Sequence, residues 1–401
     1  MKFLGLVMVL TACGFHATSS NQTPGDDDSG SGRVDASGGG GDDDAGKPPP
    51  DAQQCFGVGL LANLCLDAAP TGDRTFAAMS FDTGGSGCTK VIAQTGDPEL
   101  CVVAGKTITV TGAFVATGSR ALVMIAADTL IVQAGGSIDA SSRTSNGPRK
   151  GAAANTGTCS SLNRGGSDSG GGGGGAGGSF GTVGGNGGSG DGNDNGSPKN
   201  GASPGAAVGM AQATPTILRG GCPGSAGGDG SANVNNAGGP AGDGGGAVYL
   251  IAVNTITVAG DVFASGGGGG ARAGGTGQEE GGGGGGAGGM IGLDARTINV
   301  TGHVVANGGG GGGGGTTDRG GTAGGDGTTT TWNVRANGGS GGSTGSMTAG
   351  GGAKGTTVGV TSMFDGDNST GGAGGAAGGL GVIWTWGALT GTMISPTPVT
   401  H

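Results

Sequence analysis

The chain has one tyrosine, three histidines and 18 basic residues in 401, and each shortage removes a class of function. With so few histidines, scattered at His16, His303 and His401, no Ser/His/Asp set can be assembled and no histidine pair has metal-ligand spacing. A net charge of -10 with dispersed Lys and Arg argues against nucleic acid as a partner. Leu, Ile, Val and Phe make up about a sixth of the residues, a level at which an average chain cannot offset its ordering entropy. The average misleads, because the apolar residues are bunched into short segments separated by glycine. Proline is scarce, at 14 residues, and no strict G-X-Y run occurs, so collagen is excluded.

What is abundant is glycine, 110 residues of it. Residues 14–54 carry "GDDDSGSG", "SGGGGDDDAG" and "KPPPD" without apolar periodicity, the composition of a solvated, disordered tether. Its two Asp triplets lack the spacing and the later glutamate of a calcium loop. Ahead of it, one lysine and a short apolar run lead to Leu10, Thr11, Ala12 and Cys13. The run is shorter than the roughly 20 residues that span a bilayer, so it reads as a targeting segment. The four residues resemble the lipobox of bacterial lipoproteins, which implies removal of residues 1–12 and a lipid anchor on Cys13. Gly14 after the cysteine, by the same resemblance, implies the outer membrane.

Setting Cys13 aside, six of the seven cysteines remain: Cys55, Cys65, Cys88, Cys101, Cys159 and Cys222. An even remainder in an exported chain suggests three disulfides, and nearest neighbours pair 55 with 65, 88 with 101 and 159 with 222. Without CxxC pairs, no zinc site is expected, and no cofactor is expected either. Residues 55–105 form a small disulfide-bearing head or N-terminal cap.

From residue 106 to 401 the chain repeats. "TLIVQAGGSID", "TITVAGDVF" and "TINVTGHVV" align Thr129, Thr255 and Thr297, each followed by alternating apolar residues, a Gly turn and a second short strand at Ile138, Val262 and Val304. Two strands per copy, with copies 126 and then 42 residues apart, resemble the coils of a parallel β-solenoid, an all-β fold that tolerates long insertions at one corner. An antiparallel sandwich of hairpins is the alternative. The insertions fall at about 143–246, 265–288 and 307–378. They contain triplets such as "GGAGGS" (174–179) and "GGSGGS" (338–343), and a period of three matches a polyproline II helix. Unlike proline, glycine retains its N–H, so such helices can bond side by side. These tracts resemble the polyglycine II bundles of phage tail-tip adhesins. The lipobox, tether and Gly-interrupted coils together resemble the glycine-rich outer-membrane lipoproteins of myxobacteria.

Chemistry is sparse. Asp128, Asp261 and Asp294 lie on or beside repeats, but Asp128 aligns with Asn254 and Arg296, so no acidic row forms and catalysis is not expected. His303 reads as an exposed turn residue. Trp384 and Trp386, two apart on the last strand, are candidates to stack on a sugar or to cap the core, and Trp332 in a Gly-rich insertion is a further contact candidate. Thr107 and Thr109, with Thr255 and Thr257, place threonines outward from a strand, a pattern that Asn299 interrupts. The expectation is a non-enzymatic, membrane-anchored surface protein with a structural, adhesive or display role and a glycan or surface partner. A carbohydrate-active enzyme on the same scaffold is the alternative.

Overall fold

A computed structural model describes residues 54–145, 147–156, 159, 163–168, 170–190, 215–230, 238–272, 279–329, 331–345, 347–356 and 371–401. The chain divides into two compact units, Met1–Pro48 and Pro49–His401, and the described residues all belong to the second. The targeting segment, Cys13, His16 and the tether lie outside them.

The described residues contain strands and no helix. Most strands fall into three parallel ladders. The first joins Gly96–Gly105, Ala121–Ala126, Ala247–Ala252, the start of Met290–Val300, the start of Val382–Thr390, and Val399–Thr400. The second joins Arg74–Phe76, Ile108–Val110, Thr129–Val132, Thr255–Val258 and the later halves of the same two long strands. The third joins Met79–Asp82, Ala113–Thr117, Ser137–Asp139, Asp261–Phe263, His303–Val305 and Ile394–Ser395. Thr129, Thr255 and Thr297 stand opposite one another, the register that the sequence repeats predict.

Two expectations need correction. Each repeat contributes to three ladders rather than two strands, because the run before each Thr is itself a strand. Ala121–Ala126 and Ala247–Ala252 are buried at every position, so they show no alternation to read. The inward faces of all three ladders share one core, in which Leu122, Leu130, Ile138, Val248, Ile256 and Val262 are fully buried. The other face of the first ladder packs a second core around Val123, Tyr249, Met290, Phe180 and Leu218. The ladders also begin earlier than residue 106: Arg74–Phe76, Met79–Asp82 and Gly96–Gly105 pair into them, leaving only 54–66 as a separate hairpin.

Three disulfides join Cys55 to Cys65, Cys88 to Cys101 and Cys159 to Cys222. The last spans 63 positions, and closing so long a loop restricts the unfolded chain by about 4 kcal/mol.

The glycine-rich segments leave the third ladder and return to the first as extended chains bonded to one another mainly through backbone groups. Along residues 281–289 the bonds recur every third residue. Gly281, Gly284 and Ala287 donate to Gly228, Ser225 and Cys222; Gly282, Gly285 and Gly288 donate to Ala373, Ala376 and Gly379; Gly283, Gly286 and Gly289 donate to Gly270, Gly267 and Ala264. Its carbonyls accept with the same period from residues 172–178, 239–245 and 309–315. Six neighbouring segments therefore surround this one, three as acceptors and three as donors. Residues 308–315 have six neighbours as well, in 264–270, 280–286, 322–325, 339–342, 350–353 and 372–378.

Glycine is required there because a side chain has nowhere to go. A Cβ on Gly284 would lie 1.9 Å from the carbonyl oxygen of Ala176. The two fully surrounded segments accordingly carry long unbroken glycine runs, six residues at 281–286 and eight at 308–315. Segments at the edge keep a non-glycine residue at every third position, as Asn186 and Ser189 do with partial exposure.

Candidate functional site

A cleft of about 490 Å³ lies between the 54–66 hairpin and the outer face of the first ladder. Gln54–Phe56 and Leu64–Leu66 pair antiparallel, with the disulfide cysteines directly opposite, so the turn between them is a closed loop. That loop sits against strands more than 230 positions away. The Asp294 carboxylate accepts hydrogen bonds from the N–H groups of Val58 and Gly59, both at 2.9 Å. The Tyr249 hydroxyl donates to the same oxygen at 3.4 Å. Asp294 is only 3% exposed, and two backbone donors are what make a buried carboxylate tolerable there. Burial, and then the neighbouring Asp294 charge, push the Tyr249 phenol well above its ordinary range.

Aromatic rings complete one wall. Trp386 stacks on His401 at a centroid distance of 5.2 Å and 13°. The indole also packs against Gly59, whose Cβ, if present, would fall 2.2 Å from it. Trp384 is buried, packs edge-on to both Trp386 and His401, and leaves its Nε1 without a hydrogen-bond partner. Trp384 is thus enclosed, whereas Trp386 is half-buried and lines the cleft. Trp332 stands apart, half-buried in the turn after residue 329, where its carbonyl accepts from the Asn307 side chain.

The carboxylates singled out in the sequence do not converge. Asp128 precedes a second-ladder strand and accepts from Asn254, Asp261 lies in the third ladder, and Asp294 lies in the first. His303 departs from the exposed-turn expectation: it opens a strand, and its Nδ1 is 2.8 Å from Asp261 on the adjacent strand. Register explains the pair, because Asp261 and His303 are opposite residues in a parallel ladder. Among the described residues, no group of three or more His, Cys, Asp or Glu is placed to hold a metal.

Three further charged contacts lie at the glycine segments. Asp139, nearly buried, binds Arg143 and Arg149 and the Ser141 N–H, closing the 143–149 turn. At the far end, Glu280 is buried beside Arg272 at 3.4 Å, and desolvation holds its carboxyl above the usual range despite that partner. Arg219 lies 4.4 Å over the Phe180 ring, and burial lowers its guanidinium to about 10.

Sequence reasoning missed Tyr249, Asp294 and Gly59 as one assembly, since nothing local links a turn near residue 59 to a strand near 294. The lone tyrosine in a strand of aliphatics was the available signal. No family profile, curated protein or solved structure matches this chain.

Proposed function

We propose that this protein is a non-catalytic lipoprotein of the bacterial outer membrane, anchored through Cys13, with a structural or adhesive display role at the surface. In this reading the three ladders are the faces of a parallel β-solenoid, and the glycine segments are polyglycine II helices packed into a bundle that the coils hold out. The observation that carries it is the bonding of residues 281–289 and 308–315, each to six neighbours with a three-residue period. Such a lattice uses its polar backbone internally, which suits a stiff spacer or scaffold. A flexible glycine linker would bond mainly to water.

Proteolysis tests the rigidity. Under non-reducing conditions trypsin leaves the folded unit largely intact, because Arg164, Arg272 and Arg319 lie at segments held by the bundle; rapid cutting at these three would contradict an ordered scaffold. Fractionation tests the address: the Cys13→Ser variant moves from the membrane fraction to the soluble one, and retention in the outer membrane would remove the anchor from the reading.

A further inference from the structure

The outer face of the second ladder carries two adjacent ranks of side chains in strict register. One rank runs Thr75, Thr109, Ile131, Thr257, Asn299 and Thr390 across six strands. The other contains Thr129, Thr255 and Thr297, with Thr107 immediately before the strand opposite Thr129. None of these ten residues is charged or aromatic. Parallel strands set neighbours in a rank about 4.8 Å apart, and residues two apart on one strand lie about 6.6 Å apart. The platform is stiff, since the residues alternating with them, Ile108, Leu130, Ile256 and Ile298, are fully buried.

The hydroxyls are mostly unspent. Thr129 reaches Asp128 at 3.3 Å, and Thr390 donates to Asn299 at 2.9 Å. Among the described residues, Thr75, Thr107, Thr109, Thr255, Thr257 and Thr297 make no intramolecular side-chain hydrogen bond. Each hydroxyl can donate and accept. A single threonine contact contributes little net of its exchange with water, so a soluble ligand would gain little from this face. A rigid array gains by summing contacts without ordering cost, and only against a partner as periodic as itself.

We propose that this face binds the surface of crystalline water. A saccharide crystal offers ring faces that call for aromatic partners, and the two ranks have none. An ionic surface calls for charge, which none of the ten residues carries, although Asp73 beside Thr107 and Asp128 beside Thr129 border the face. Ice presents donors and acceptors at repeats of a few ångströms, which hydroxyls in register can replace one for one, while the threonine methyls fill the space between. The inference concerns the second ladder alone and holds whether or not Cys13 carries a lipid.

The test is partition into a slowly growing ice hemisphere, using the full folded unit with its disulfides intact and a fluorescent label on the N-terminal side. The wild type concentrates in the ice, and Thr257→Arg, at the centre of the array, is left in the liquid. Thr297→Arg, at an exposed position of the other rank, gives the same loss. Ser340→Arg, on the outward side of a glycine segment, partitions as the wild type does. Denaturation midpoints of all three variants are measured alongside, and surface changes of this kind leave them at the wild-type value. Exclusion of the wild type from ice, incorporation of Thr257→Arg at the wild-type level, or adsorption to crystalline chitin in place of ice would each overturn the proposal.

Discussion

Replacing Gly284 by alanine adds one methyl group at the centre of the glycine segments. The new Cβ would meet the Ala176 carbonyl oxygen at 1.9 Å, where real Cβ contacts stay above 3.0 Å, so residues 172–178 must retreat by about 1 Å. That retreat stretches the bonds from Gly172, Gly175 and Gly178 to residues 279, 282 and 285, now 2.7 to 2.9 Å, and the bond from Ser225 to Ala176 at 2.8 Å. At about 1 kcal/mol each, four weakened bonds cost roughly 4 kcal/mol. The stiffer unfolded chain returns about 0.4–1 kcal/mol of this. A net loss of about 3 kcal/mol is expected, against less than 0.5 kcal/mol for Ser340→Ala at an exposed third position. Guanidinium unfolding under non-reducing conditions measures the difference, and amide exchange over residues 172–178 reports where it arises. Equal midpoints for Gly284→Ala and Ser340→Ala would refute the packing described, because a solvated glycine tract accepts alanine anywhere.

Two other outcomes follow from the hairpin and its anchor. Because Tyr249 is the only tyrosine, tyrosinate absorbance reads it directly. Its folded pKa is raised, so the unfolded chain loses the proton first, at about pH 10, and stability falls as pH rises above that value. Tyrosinate is therefore expected only as near-ultraviolet circular dichroism collapses; ordinary titration in the folded protein would disprove its enclosure. Asp294→Ala strands the Val58 and Gly59 N–H groups at a cost of about 3 kcal/mol, and amide exchange across 57–63 accelerates while Ala121–Ala126 stays protected. Unchanged protection across 57–63 would show that the carboxylate does not hold the hairpin.

Legibility in the sequence followed the physics of each element. Half-buried strands such as Thr255–Val258 announce themselves by alternation, and their register could be aligned by eye. Fully buried strands such as Ala121–Ala126 carry no period, so the first ladder was invisible as a separate element. Cysteine pairs were readable because each is the nearest pairing along the chain. The order of neighbours around residues 281–289 was not readable, since every contact is made by backbone atoms that all residues share. The Asp294 clasp was hidden for a different reason: its partners are two amide groups from a turn with no side-chain signature.

Contacts made by backbone alone also change what a mutation is. Around residues 281–289 and 308–315, identity at a position matters less than its phase in a count of three, because every third N–H serves the same neighbour. Losing a single glycine from either run would rotate all later donors onto the wrong partners, although composition and hydropathy would scarcely alter. Losing three would keep the later donors in phase with their partners. The runs therefore have something like a reading frame written in the folded protein, and their lengths should drift in steps of three.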